Sequence, residues 1–297
     1  MRWTGRRESE QVEDRRGFGT GFPGGRGGLA VGGCGTIVLV FVVSLLTGAD
    51  PLQLLQQIGG AGPVAVDTQP SNLPEDGTTA TAGEDEQTKF VRTILADTED
   101  TWDEIFAKDG RSYVHPKVVL FSGGVRSACG TTSAAVGPFY CPVDQSVYID
   151  LAFYRDLDRR FGAPGDFAQA YVLAHEVGHH VQNLLGISEQ VQRAQESARS
   201  EEEANAYSVR LELQADCLAG VWGHYANARS KMLEPGDVEE GLGAAAAIGD
   251  DRLQKMAQGY SSPESWTHGS SQMRVQWLRK GLESGDPDAC DTFGGRS

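Results

Sequence analysis

The segment AYVLAHEVGHHVQNLL carries His175, Glu176 and His179 in the order His-Glu-x-x-His. Apolar residues at Tyr171, Val172, Val177, Val181 and Leu184 recur around them at helical spacing. Residues four apart on a helix stand one above the other, so the two imidazoles can converge on a single ion. Glu176 then sits where it can reach a water held by that ion. Such a set supports metal-assisted hydrolysis: an ion such as Zn2+ brings the pKa of water towards about 7, and one carboxylate acts first as base and later as acid.

A hydrolytic zinc site takes three protein ligands and keeps a position for water, so a third ligand is expected on a following helix. The segment VRLELQADCLAGVWGHYA supplies Glu212 and Asp216, four apart and therefore on one helical face. Their neighbours Leu211, Leu213, Ala215, Leu218, Ala219 and Val221 are apolar, and carboxylates in such surroundings need partners. Ser200 with Glu203 three later resembles a capping box that starts this helix. Glu212 is assigned to the metal, and Asp216 to the second nitrogen of a ligand histidine, whose tautomer it would fix. A further electrophile for a developing oxyanion is sought in SWTHGSSQMR, where His268 is the candidate and Tyr260 and Arg274 are its rivals.

Other polar residues read as structural. His180 follows His179 by one position and points about 100° away around the helix, which removes it from the same ion. His115 and His224 read as satisfied structural histidines, and Asp250, Asp251 and Arg252 as a charge network on a helix surface.

These side chains need elements to hold them. KFVRTILADTEDTWDEIFAKDG has helical apolar spacing and ends at Gly110. VHPKVVLFSG and QSVYIDLAFY are β-branched and aromatic runs read as strands, the second able to hold an extended peptide by edge pairing. Beyond Asp166 the spacing predicts helices over 166–185, about 188–230, 237–257 and 271–283, broken at Gly186, Pro235–Gly236 and the Gly259–Pro263 turn. The fold class is α+β and mostly α, with a small N-terminal β-sheet feeding a helical domain.

The formal charge of −15 argues against a nucleic-acid partner, because a polyanion needs a basic face. Residues 29–47, LAVGGCGTIVLVFVVSLLT, have no ionisable side chain except Cys34 and match a bilayer's hydrocarbon thickness, so one transmembrane helix is expected. A cleaved signal peptide is the competing reading, but DPLQLLQQIGG follows in place of a small-x-small site. Six arginines precede the span and Lys89 is the first basic residue after it. The predicted placement is therefore the cell membrane, single-pass, with a cytoplasmic N-terminus and an extracytoplasmic domain. The expected organisation is a Gly/Arg-rich tail at 1–28, the span at 29–47, a flexible linker at 48–86 and a folded domain at 87–297. A Gly-rich stretch at 17–33 fails as a dinucleotide-binding loop because no strand precedes it.

With Cys34 set aside, four cysteines remain, an even number suited to an oxidising compartment. Three pairings are possible. Cys129 and Cys141 bracket GTTSAAVGPFY, which favours a short loop bridge and leaves Cys217 with Cys290. Four reduced, buried thiols are the alternative, and that reading requires a cytosolic domain.

The residues His-Glu-x-x-His followed by Glu-x-x-x-Asp resemble the gluzincin pattern. The wider similarity, over about 87–297, is to the bacterial neutral zinc metallopeptidases. It includes CGTTSAAVGPFYCPVDQSVYIDLAFY, AHEVGHHVQ, ELQADCLAGVW, AIGDDRLQ, THGSS and CDTF. The resemblance implies a zincin-like fold, a zinc ion and hydrolysis of a peptide or protein substrate. A non-catalytic, zinc-stabilised envelope scaffold is the alternative from another class. Glu176 separates the two, since a closed structural site needs no base.

Overall fold

Asp85 opens the first long helix: its carboxylate accepts a hydrogen bond from the Thr88 amide at 2.7 Å and caps α1, Glu86–Lys108. The computed structural model describes residues 1–16 and 85–294. Helix α1 is buried on more than one face, and two of its buried side chains are acids, Asp97 and Glu99. Each has a cationic partner, as buried carboxylates require. Arg229 lies 2.8 Å from Asp97, and Arg7 lies 2.9 Å from Glu99.

That second contact belongs to the N-terminal segment. Residues 1–16, expected in a tail apart from the domain, are built into it. Val12–Asp14 form β1, which pairs in parallel with β2, Lys117–Phe121. Trp3 stacks edge-on against Phe90, and Arg16 bonds Asp85 at 2.7 Å. The amino group of Met1 lies 2.9 Å from Asp166. The folded unit thus takes in residues on both sides of the stretch 17–84. The expected span at 29–47 and nearly all of the 48–86 linker lie outside the described residues. No helix among the described residues is long and apolar enough to cross a membrane.

The main sheet has the order β1-β2-β6-β5, with β5 at Phe139–Cys141 and β6 at Ser146–Asp150. Strands β1, β2 and β6 are parallel, and β5 runs antiparallel to β6. All five residues of β6 are buried, as an interior strand covered on both faces demands. Strand β2 pairs with it along its whole length and β5 covers its other side at Ser146–Tyr148, so edge pairing of a peptide over the whole run, as expected, does not hold; among the described residues β1 and β5 are the edge strands. The run also ends sooner than predicted, because Ala152–Arg159 turn into helix α2. A two-stranded hairpin, β3 at Gly124–Ser127 and β4 at Gly130–Ser133, sits beside the Cys129–Cys141 disulfide.

The helical half follows the predicted order with two extra breaks. Helix α3 spans Asp166–Leu184. The expected helix at 188–230 is two, α4 at Ile187–Glu196 and α5 at Glu201–Ser230, because Ser200 takes an extended backbone and its Oγ caps the Glu203 amide at 3.1 Å. Likewise Gly249 separates α6, Asp237–Ala247, from α7, Asp250–Gln258. Helix α8 spans Ser271–Ser284 and lies along α5, where Cys217 and Cys290 form the second disulfide. One large apolar core joins α1, the sheet, α3, α5 and α6, with Trp102, Trp222, Tyr171 and Phe167 at its centre.

Candidate metal centre

Helix α3 carries His175, Glu176 and His179, and α5 carries Glu212. Between the two histidines, Gly178 faces Ala215 of α5. A β-carbon there would stand 3.0 Å from the Ala215 carbonyl oxygen, so the absent side chain allows the two helices their close approach. That approach brings Glu212 under both imidazoles. Glu212 Oε2 is 3.1 Å from His175 Nε2, and Oε1 is 3.3 Å from His179 Nε2. One ligand atom from each residue lies within 4.8 Å of the others, a span that a single ion can bridge.

The other ring nitrogens are tied off. His175 Nδ1 is 2.9 Å from Asp216 Oδ1, and His179 Nδ1 is 2.8 Å from Gln182 Oε1. Each imidazole therefore donates from Nδ1 and directs Nε2, whose proton a metal would replace, to the same point. Two nitrogens and a carboxylate are a donor set suited to Zn2+.

Electrostatics agree with that use. Burial drives His175 towards the neutral form, but Asp216 and Glu212 more than reverse this and hold its pKa at about 10. His179 is raised in the same way by Glu212 against the effect of burial. A field that favours a proton on these rings favours a metal cation in its place. Burial opposes the charged form of Glu212, yet His179, His268 and the histidine hydrogen bonds keep its carboxyl well below the usual range. Glu176, buried beside them, has a raised pKa, first from loss of solvent and then from the Glu212 charge, partly offset by His179 and His175. A base held above an ordinary glutamate is better matched to neutral-pH proton transfer.

His268 stands near enough to Glu212 for each to shift the other's pKa. Its Nδ1 lies 3.3 Å from Asp250 Oδ1. Asp250 is not part of a surface network as expected. It is buried, and its Oδ2 accepts from the amides of Thr267, His268 and Gly269 at 2.6–3.0 Å. It thereby fixes the turn that presents the imidazole.

Of the two rivals to His268, Tyr260 is exposed and Arg274 is buried in contact with Asp216. His180, His224 and His115 are satisfied elsewhere, at Val114 O and Tyr140 Oη, at Leu282 O, and at Asp103 respectively. Sequence reasoning missed Gln182, although it stands three residues after His179 on the same helical face. Tyr154 of α2 was missed too. Its buried hydroxyl has no hydrogen-bond partner among the described residues, and after burial the charge that raises its pKa is that of Glu176.

A family model described as "Putative neutral zinc metallopeptidase" matches residues 1–293 and so includes β1. The chain is 50% identical over 295 residues to "Uncharacterized protein YpfJ" of Escherichia coli (strain K12), covering 99% of each. It is 42% identical over 261 residues to "Uncharacterized protein Rv2575" of Mycobacterium tuberculosis (strain ATCC 25618 / H37Rv), covering 84% of this chain and 85% of that one. No solved structure matches the chain.

Proposed function

Since the chain belongs to the neutral zinc metallopeptidase family, we propose that it is a zinc-dependent peptidase whose ion is held by His175, His179 and Glu212. One observation carries the reading: both Nε2 atoms meet at the Glu212 carboxylate while both Nδ1 atoms are held by acceptors. Zinc there supplies a Lewis acid that polarises a peptide carbonyl and acidifies water.

The chain's own residues do the rest. Glu176 takes a proton from the attacking water and returns it to the departing amine, so it ends the cycle as it began. His268, held by Asp250 and raised above its ordinary pKa, donates to the oxygen on which negative charge develops. Burial of Asp216 keeps water from its carboxylate. The open edge of β5, close to α3 through Tyr140 and His180, offers backbone groups for an extended substrate.

The test is zinc content and peptide-library cleavage by the full chain, wild type beside Glu176→Gln and His268→Ala. About one zinc per chain in all three is expected. Cleavage should vanish in Glu176→Gln and fall by about 10²–10³-fold in His268→Ala. Zinc without cleavage by the wild type would leave the ion a structural role and refute the peptidase.

A further inference from the structure

We propose that Arg274 is a positioning residue of the metal centre: its guanidinium, locked onto Asp216 and Tyr171, sets the orientation and tautomer of His175. The proposal rests on the zinc reading above and adds a residue that touches neither ion nor substrate.

The three side chains Arg274, Asp216 and Tyr171 are 2%, 0% and 1% exposed. Arg274 Nε donates to Asp216 Oδ2 at 2.9 Å, and Nη2 donates to Asp216 Oδ1 at 2.9 Å, a two-pronged pair. Nη2 also donates to the Tyr171 hydroxyl at 3.1 Å, and Nη1 to the Ile248 carbonyl at 3.3 Å. The Tyr171 hydroxyl in turn donates to Asp216 Oδ1 at 2.5 Å, the same atom that faces His175 Nδ1 at 2.9 Å.

Proton accounting on Asp216 Oδ1 decides the tautomer. That oxygen meets Arg274 Nη2, the Tyr171 hydroxyl and His175 Nδ1, and the first two can only donate to it. A carboxylate paired two-pronged with a guanidinium carries no proton of its own, so His175 Nδ1 must hold the third proton. Nε2, facing Glu212, is then the nitrogen left to bind a metal. The network joins α3 through Tyr171 and His175, α5 through Asp216, and α8 through Arg274. A metal ligand on one helix is therefore oriented by a cation on another. Lysine cannot replace this arrangement, because one ammonium presents no planar fork.

The test uses the full chain with Arg274→Lys and Arg274→Ala. It reads zinc affinity by chelator competition, the visible spectrum of the cobalt-substituted protein, and unfolding of the metal-free form. Arg274→Lys is expected to weaken zinc by about 10–100-fold and to shift the cobalt bands. Low millimolar guanidinium should restore zinc affinity to Arg274→Ala, while methylammonium should not. A merely structural residue would show lowered stability with an unaltered cobalt spectrum. Wild-type affinity and an unchanged spectrum in Arg274→Lys would overturn the positioning role alone. Absence of zinc from the wild type, with no cobalt spectrum, would overturn the metal reading and this proposal together. If Arg274→Ala does not fold, Arg274→Lys, which keeps a buried charge, carries the decision.

Discussion

Replacing Gly281 by alanine should damage the metal centre from a distance. Helix α8 passes α5 with Gly281 against Cys217 and Val221. A β-carbon at 281 would stand 1.9 Å from the Cys217 carbonyl oxygen, 2.8 Å from the Val221 nitrogen and 2.9 Å from the Cys217 carbonyl carbon. All three are backbone atoms in mid-helix and cannot swing aside. Non-bonded contact would force the helices apart by about 1 Å at least. Overpacking against backbone costs about 3 kcal/mol, and the better helix propensity of alanine returns about 1 kcal/mol. Arg274 lies two turns before Gly281 on the same helix, so its 2.9 Å bonds to Asp216 lengthen with the same displacement. Loosening that buried pair adds on the order of 1–2 kcal/mol. The net expectation is a loss of about 3–4 kcal/mol, read by urea unfolding, with weaker zinc binding in the chelator assay. Gly243→Ala is the control: it lies in α6 with nothing within 4 Å of its β-carbon position, and should stabilise by up to about 1 kcal/mol. Wild-type stability in Gly281→Ala would refute the reasoning.

The disulfides should differ in what they contribute. Cys217–Cys290 closes 73 residues and Cys129–Cys141 closes 12, which predicts about 4 and about 3 kcal/mol from loop entropy. Unfolding of Cys290→Ser and Cys129→Ser should show that order, and equal losses would refute it. Burial opposes ionisation of Asp216, but Arg274 and His175 hold its pKa at about 2, below the ordinary 3.8. Its stabilisation is therefore fully present above about pH 4 and is lost as pH falls towards about 2, worth about 2 kcal/mol. Metal-free Asp216→Asn should be less stable than wild type at neutral pH and show a flatter stability curve over that acid range. An unchanged acid slope would refute the assignment.

The parts of this protein that were legible in its sequence are those where chemistry and periodicity coincide. His175, Glu176 and His179 stand within helical apolar spacing, and Glu212 and Asp216 are carboxylates in an apolar stretch, so geometry and the cost of burial pointed the same way. Strand β1 was not legible, because three residues with a single apolar member carry no alternation and their partner strand is more than a hundred positions away. The usable signal was indirect: Asp97 and Glu99 fall on apolar-facing positions of α1 and required cations from elsewhere. Phe153 and Tyr154 favoured extending the strand reading into α2, since aromatic residues suit both. Asp250 looked like surface charge because its partners are backbone amides 17–19 residues later, and backbone leaves no signature in side-chain types.

The 2.7 Å contact between Arg16 and Asp85 joins two positions 69 apart in sequence at one place on the fold. With strand β1 paired to β2 and the Met1 amino group on Asp166 at the start of α3, Met1–Arg16 belong to the same folded body as His175, Glu176 and His179, and a change at either end of that segment is felt by the helix that carries them.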